Sequence, residues 1–452
     1  MERMIAVQTR LVLSSELKEY LNEYITFYNH IQRRVFQDLK HGIPQEMGIS
    51  RYITYICNTY GILKRTANSI RYDMQGRIKA YLDLKRTELK QLKIKVQSVQ
   101  KKVKYLESRV SHLKSLATLN RLKKSELQKY RKLKTSLYYR KNKLNKLKQR
   151  LDVLKQQIKE KQVSFCFGTK KLFDVQNRLD ENGYKSHRKW LHDFQKKRDC
   201  GIFFLGSGDE SYGNQILQLK PDGNRFCMQI SKDKPFRKDS KYIQVSDVWF
   251  PYMSEELKYA ITHHQPITYR IARKDKKWYL TAMFSIKTDV CTNKKSGVIG
   301  IDYNDGFLEC VETNRSGNMV DASQIELEYH GTGNKAESEI KEKLSKVVRS
   351  AKERKKSIVI EELDFKKKKS EQQKGEAKDY NRILHLFDYH RYLFWMENLC
   401  IKYGVELIKV NPAYTSKIGK QKYSNRKKLT VHRAAAFVIA RRGQGFIDRL
   451  VA

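Results

Sequence analysis

No two of the seven cysteines (Cys57, Cys166, Cys200, Cys227, Cys291, Cys310 and Cys400) are spaced as a CxxC pair. That argues against a zinc ribbon and a disulfide framework and fits reduced thiols in a cytoplasmic protein. No apolar run is long enough to span a bilayer, and Met1-Glu-Arg-Met-Ile5 lacks the apolar core of a signal peptide. Neither glycine nor proline occurs between Gly76 and Gly168, so nothing in that stretch punctuates a helix. Acid is also scarce: 49 Asp and Glu stand against 93 Lys and Arg, for a formal net charge of +44. A charge of that size needs a polyanion, and nucleic acid supplies one through phosphate neutralisation and counterion release. A membrane surface is the rival partner, and the chain has no spanning segment to support it.

The 452 residues are too many for one ordinary domain and predict two or three. A hydrophobic fraction of 40% is enough for real cores. Residues 4–13 alternate as a strand, and Ser14 opens a helical run carrying Tyr20, Tyr24, Phe27, Tyr28 and Phe36. Those aromatics are core at helical spacing, with base stacking left open for a few. In the stretch free of glycine and proline, heptads run through Leu89, Val96, Val103 and Val110 with Leu92, Val99, Leu106 and Leu113. A second set uses Leu137, Leu144, Leu151 and Ile158 with Leu133, Leu147 and Leu154. This is a coiled-coil seam, and its loss of register at 117–126 predicts an antiparallel hairpin over about 80–160. Its exposed Lys and Arg allow two readings, a solvated or dimerising stalk and a rod lying along nucleic acid.

Residues 163–200 read as mixed and helical, and from 201 to 290 the pattern turns to β. Candidate strands there are 215–219, 225–230, 243–250, 267–272 and 278–286, the last two flanking a hairpin at Arg273–Lys277. With the N-terminal strand they suggest a small barrel interrupted by a helical excursion. The domains predicted are therefore 1–13 and 201–296 as the β-barrel, 14–200 as a helical insert, and 297–452 as a third region. That last region reads as three strands (298–303, 307–312 and from 319), a helix at 335–354, a strand ending at Glu361, a basic loop, a helix at 380–403, a strand at 405–410 and a helix from 431. Three antiparallel strands followed by alternating helix and strand is the ribonuclease-H order, and the fold class is multidomain α/β.

Within it, Gly297-Val-Ile-Gly-Ile-Asp-Tyr-Asn304 carries Asp302, and Ser357-Ile-Val-Ile-Glu361 ends in Glu361. An acid at the end of a buried strand is costly unless a cation or hydrogen bond compensates it. Two such acids on separate strands suit two-metal phosphodiester hydrolysis, in which ions about 3.5–4 Å apart activate water and stabilise the leaving oxygen. Either acid alone also fits a carboxylate at the solvent boundary. Glu362 points to the opposite face if the strand continues.

Five blocks carry a resemblance. They are Phe165-Cys-Phe-Gly-Thr-Lys-Lys-Leu-Phe173, Gly300-Ile-Asp-Tyr-Asn304, Ile360-Glu-Glu-Leu363, Val410-Asn-Pro-Ala-Tyr-Thr-Ser416 and His432-Arg-Ala-Ala-Ala436. Of these the Asn-Pro-Ala-Tyr-Thr-Ser block is the most specific. The chain resembles the TnpB-related family of bacterial insertion sequences, RNA-guided nucleases related to type V CRISPR effectors. The resemblance implies a wedge-type barrel, an inserted recognition domain and a RuvC-like nuclease domain. It also implies a structured guide RNA, target DNA beside a short motif, and two magnesium ions. Asp302 and Glu361 match the family's first aspartate and its glutamate. Two departures follow. Between Ser416 and His432 the family's paired zinc cysteines are replaced by Lys417-Ile-Gly-Lys-Gln-Lys-Tyr-Ser424, and the third aspartate is His432.

Neutral imidazole can ligate a divalent ion or take a proton from water, although magnesium prefers oxygen. The alternative role for His432 is capping or packing beside a crippled site. Asp305, Asp364 and Asp448 are possible substitutes. The functions left standing are an RNA-guided DNA endonuclease, a non-cleaving RNA-guided binder, and a resolvase or transposase acting without RNA. Oligomeric state, monomer or homodimer, is open because heptads pair equally well within and between chains.

Overall fold

The computed structural model describes residues 2–43, 47–119, 123–237, 240–274, 277–304, 306–327, 333–362, 391–424 and 428–450, with backbone only at 333–336. They fall into two compact units, Met4–Ser285 and the segment from Ile286 onward with the first residues of the chain. Among the described residues no helix is long and apolar enough to cross a membrane.

In the first unit, strand β1 (Glu2–Leu11) leads to α1 (Ser15–His41), whose N-cap Ser14 accepts a hydrogen bond from the Leu17 amide. Tyr24, Tyr28 and Phe36 of α1 are buried and Tyr20 and Phe27 pack partly buried against the same cluster, so these aromatics are core. After α2 (Ile49–Tyr60), helix α3 runs unbroken for 55 residues, Lys64–Thr118. Its first turns bury Ala67, Ile70 and Met74 in the unit's core, and its far half turns back as α4 (Lys124–Lys159). The sequence predicts the turn of this hairpin but not that its first arm is the extension of a core helix.

The two arms bury a seam of Val96, Val103 and Leu144 flanked by Val99, Leu137, Leu147 and Leu151. Ion pairs Arg150–Glu88 and Lys141–Glu107, both 2.7 Å, fix the antiparallel level. Exposed pairs are worth about 0.2–1 kcal/mol each. A buried Leu or Val contributes about 1.5–3 kcal/mol, so the seam holds the arms and the pairs set their register.

Short helices α5 (Lys170–Asp174) and α6 (His187–Arg198) precede strands β2 (Gly201–Phe204), β3 (Leu217–Asp222), β4 (Arg225–Ser231) and β5 (Tyr242–Val248). Helix α7 (Ser254–Thr262) then leads to the hairpin strands β6 (Thr268–Lys274) and β7 (Lys277–Lys287). The strands make two open sheets, β1-β7-β6-β2 and β3-β4-β5, rather than the closed barrel the sequence suggests. The ladders part after β2. There the Asn214 side-chain amide bonds the carbonyls of Phe204 and Ile267, while its oxygen takes the Ile216 and Leu217 amides. A side chain thus satisfies backbone groups that a continuous ladder would have paired. Both sheets and α1–α3 share one core.

The second unit holds a five-stranded sheet with order β10-β9-β8-β11-β12. Its strands are β8 (Asn293–Asn304), β9 (Phe307–Thr313), β10 (Met319–Glu326), β11 (Lys356–Glu361) and β12 (Leu407–Val410). β8, β9 and β10 are antiparallel, whereas β11 is parallel to both β8 and β12. Helices alternate with the later strands: α8 (Gly333–Glu353), α9 (391–403), α10 (Thr415–Gly419) and α11 (Val431–Gln444). This is the element order expected from sequence. Ile299, Ile301, Ile358 and Ile360 pack on one side with Leu344 and Val348 of α8 and Met396 of α9. The alternate residues Val298 and Val359 pack on the other side against Ile439 and Ala440 of α11.

Helix α11 sits on the strands because both surfaces are trimmed to backbone. A Cβ on Gly300 would lie 2.4 Å from the Ala436 carbonyl oxygen and 2.5 Å from the Ala440 nitrogen, and one on Gly443 would lie 2.2 Å from a Val359 methyl. Gly300→Ala is therefore expected to cost roughly 1–3 kcal/mol of stability by overpacking. That outweighs the about 0.4–1 kcal/mol gained by stiffening the unfolded chain. Urea denaturation checks this, and an unchanged midpoint would show that the helix is not seated at Gly300.

Candidate active site

Alternation along β8 sends Val298 and Gly300 to the α11 side, and Asp302 follows them two residues on. Across the antiparallel ladder Asp302 is paired with Glu309, so both carboxylates share that face. On the parallel side Ile360 is paired with Ile301, which places Glu361 beside Asp302 and, with Val359, on the α11 side. Three acids from three adjacent strands thus meet where the apolar face ends.

The first turn of α11 closes this corner. Thr430 caps the helix by accepting from the Arg433 amide at 3.2 Å. Residues 432, 436 and 440 form one stripe of the helix, so seating Ala436 and Ala440 over Gly300 carries His432 over Asp302. The His432 Nδ1 lies 3.4 Å from the Asp302 Oδ2, and the Asn304 amide donates to the same oxygen at 3.0 Å. Phe307 meets the imidazole edge to face at 5.4 Å.

Asp302 is only 8% exposed, while the His432 side chain is half exposed. Burial raises the Asp302 pKa above the ordinary carboxylate value. The Asn304 hydrogen bond and the neighbouring His432 pull it down, and the Glu309 charge pushes it up. Glu309 is 2% exposed and accepts from the Arg433 Nε at 3.3 Å. The Glu361 Oε1 accepts from the Thr415 hydroxyl at 2.5 Å.

That last bond gives the Asn-Pro-Ala-Tyr-Thr-Ser block a local reason. The Asn411 side chain accepts from the Ala413 amide at 2.9 Å and tightens the turn, and Tyr414 takes a left-handed conformation (φ 64°). The turn buries Thr415 against Glu361.

The other candidates separate clearly. Asp448 accepts from Tyr423 at 2.8 Å and Arg441 at 2.9 Å. Arg441 lies nine residues from His432, about 13 Å along the helix at 1.5 Å per residue, so Asp448 does not join the site. Glu362 is exposed, and its amide donates to the Val410 carbonyl at 2.8 Å. Asp305 and Asp364 lie outside the described residues, as does the basic loop at 366–369. Residues 415–424, which carry no cysteine, form α10 and a π-helical turn, Lys420–Ser424, whose Tyr423 packs on Phe437.

Sequence reasoning missed Glu309, Arg433, Asn304 and Thr415 as members of this corner. Glu309 was within reach, because it interrupts the buried run Leu308–Val311 as Asp302 interrupts its own strand. Arg433 and Thr415 act through tertiary contacts that no local pattern announces, and Asn304 acts from two residues along the strand of Asp302 itself.

The donor chemistry suits magnesium, which takes one or two protein carboxylates and fills its remaining positions with water and substrate phosphate oxygens. Asp302 and Glu361 can serve in that way. They do not form a full cage: among the described residues no group of three or more His, Cys, Asp or Glu is arranged to hold an ion.

No family model matches the chain, and no curated protein matches it. Among solved structures, T. thermophilus RuvC in complex with a Holliday junction substrate is 14% identical, covering 32% of this chain and 88% of its own, with a TM-score of 0.24. A Cas12f1–sgRNA–target DNA complex is 13% identical, covering 97% of this chain and 99% of its own, also at 0.24. A TM-score of 0.24 is too low to carry a function to this chain.

Because the Asp302 pKa is raised on folding, the folded protein binds its proton more tightly than the unfolded chain does. Stability is therefore lost as pH rises from the unfolded aspartate value, near 3.9, through the folded one. Asp302→Asn in chelator-treated buffer is expected to melt higher than the parent at pH 7, with the gap closing as pH falls below about 4. A gap independent of pH would show that the carboxylate is not strained by burial.

Proposed function

We propose that the chain is an RNA-guided DNA endonuclease of the TnpB type, which binds a guide RNA and hydrolyses target DNA beside a short motif. The observation that carries this reading is the convergence of Asp302 and Glu361 on one sheet face beneath His432. The net charge of +44 supplies the phosphate affinity.

Magnesium bound at Asp302 and Glu361 would polarise the scissile phosphate and lower the pKa of an attacking water. With Nδ1 held beside Asp302, the half-exposed His432 ring would take a proton from water through Nε2. Asn304 fixes the rotamer of Asp302, and Thr415 fixes that of Glu361. Arg433 offsets the buried charge of Glu309 and spares Asp302 an uncompensated neighbour.

One observation favours a second reading, an RNA-guided binder that does not cut. Every acid in the corner already has a protein donor: Asn304 and His432 on Asp302, Arg433 on Glu309, Thr415 on Glu361. Such a corner gives each acid a protein partner without a metal.

Sequencing the RNA that co-purifies from the native locus tests both guided readings. One abundant RNA with a constant scaffold and a variable end is expected, and only random RNA at low salt would overturn them. With that RNA in hand, Asp302→Ala and Glu361→Ala should abolish cutting and spare RNA binding. His432→Ala should slow cutting by about 10²–10⁴-fold, the usual worth of a positioned base. A parent protein that binds guide and target without cutting would establish the binder instead.

A further inference from the structure

We infer that the α3–α4 hairpin carries a stacking site for single-stranded nucleic acid, built on Tyr105 and Tyr139. The proposal rests on the chain being a nucleic-acid binder and is independent of cleavage.

Three observations meet at one level of the rod. Tyr105, Tyr138 and Tyr139 are 64%, 64% and 67% exposed, which is unusual for large rings on helices that have an apolar seam to bury them in. The Lys141–Glu107 ion pair brings residues 105–107 of α3 level with 139–141 of α4. Helical spacing then sorts the sides. Relative to the seam at Val103 and Leu106, Glu107 flanks one edge and Tyr105 lies outward on the other. Relative to Leu137 and Leu144, Lys141 flanks the first edge and Tyr139 lies outward on the second. Tyr105 and Tyr139 therefore share a face. Tyr138 meets Tyr139 edge to face at 5.7 Å and braces it.

The cations around these rings point to the partner. Lys102 precedes Tyr105 by three residues and Arg109 follows it by four, while Lys143 and Lys146 follow Tyr139 by four and seven, one and two turns along the same side. None of the four forms an ion pair or a side-chain hydrogen bond among the described residues. Residues 89–151 hold 21 Lys or Arg against two acids, Glu107 and Glu126, so the rod repels a second copy of itself. Exposed rings flanked by uncompensated cations are what a single strand recognises: bases stack on the faces while phosphates lie along the lysines. A duplex offers the phosphates without free base faces, and an anionic lipid surface offers the charge without the bases.

The test uses the full-length protein and labelled 20-nucleotide probes, a polypyrimidine single strand and a duplex of equal length, across a salt series. Tyr105→Ala/Tyr139→Ala is expected to weaken single-strand binding about tenfold or more and duplex binding less than about twofold. Its salt slope should stay that of the parent. Tyr105→Phe/Tyr139→Phe keeps the ring faces and should bind as the parent does. Lys102→Gln/Lys143→Gln/Lys146→Gln should instead flatten the salt slope by about two to three. Helix content by circular dichroism confirms that the variants are folded.

Equal losses for duplex and single strand, or no loss in the tyrosine variant, would overturn the stacking site and leave the nucleic-acid reading intact. A parent protein that bound neither probe but bound phosphatidylserine vesicles would overturn both.

Discussion

The second unit depends on how closely α11 can approach the sheet. Gly300 and Gly443 remove side chains from the two points of nearest contact, and Ala434, Ala435, Ala436 and Ala440 keep the rest of the helix small. A helix packed on larger residues stands farther off, and its first turn would then ride above the strand ends rather than beside them. Seated as it is, α11 delivers His432 to Asp302 and Arg433 to Glu309 in consecutive positions. The chemistry of the corner is thus a consequence of packing about six to twelve Å away along the helix. Substitutions at Gly300 or Gly443 therefore act on the site without touching it.

The corner also runs against the stability of its own fold. Asp302 and Glu309 are cross-strand neighbours of like charge, both nearly excluded from water. Direct like-charge pairs across a ladder are destabilising, and burial raises that cost. An apolar pair would extend the core of Val298, Val311 and Ala436 by one more layer at no such penalty. The chain instead keeps both acids and surrounds them with Asn304, His432 and Arg433. Strain of this kind, held in place by the packing around it, is what a site for binding or catalysis looks like in physical terms.

Much of this unit was legible because its strands are buried on both sides. Runs such as Val298–Ile301 and Ile358–Ile360 announce parallel or central strands, and the acids that end them stand out against the apolar background. The first unit was harder to read. Its β strands carry the alternation of half-buried sheets, which marks where strands lie but not which neighbour each one takes. Closure into a barrel was the natural guess, and Asn214 ends it by supplying from a side chain the bonds that a further ladder would have needed. Helix α3 was misjudged at its root for a related reason. Its core turns and its hairpin turns share one unbroken helical period, and only tertiary contact distinguishes Ala67 or Ile70 from Val96. The roles of Arg433 and Thr415 were invisible in the same sense, since each bonds an acid more than 50 residues away in sequence.

The sign of the charge supplies the last step. The chain is strongly basic, and the hairpin is its most one-sided part, yet the candidate active corner gathers three carboxylates. A phosphodiester drawn in by the basic surface would meet local repulsion at Asp302, Glu309 and Glu361. Something cationic must offset it, and two agents are available. Arg433 supplies a fixed cation from the protein, and a magnesium ion would supply a mobile one. Arg433 offsets Glu309, Asn304 and His432 engage Asp302, and Thr415 donates to Glu361. Glu361 stands beside Asp302, and an ion held by these two residues would lower the repulsion that their charges set against a phosphate.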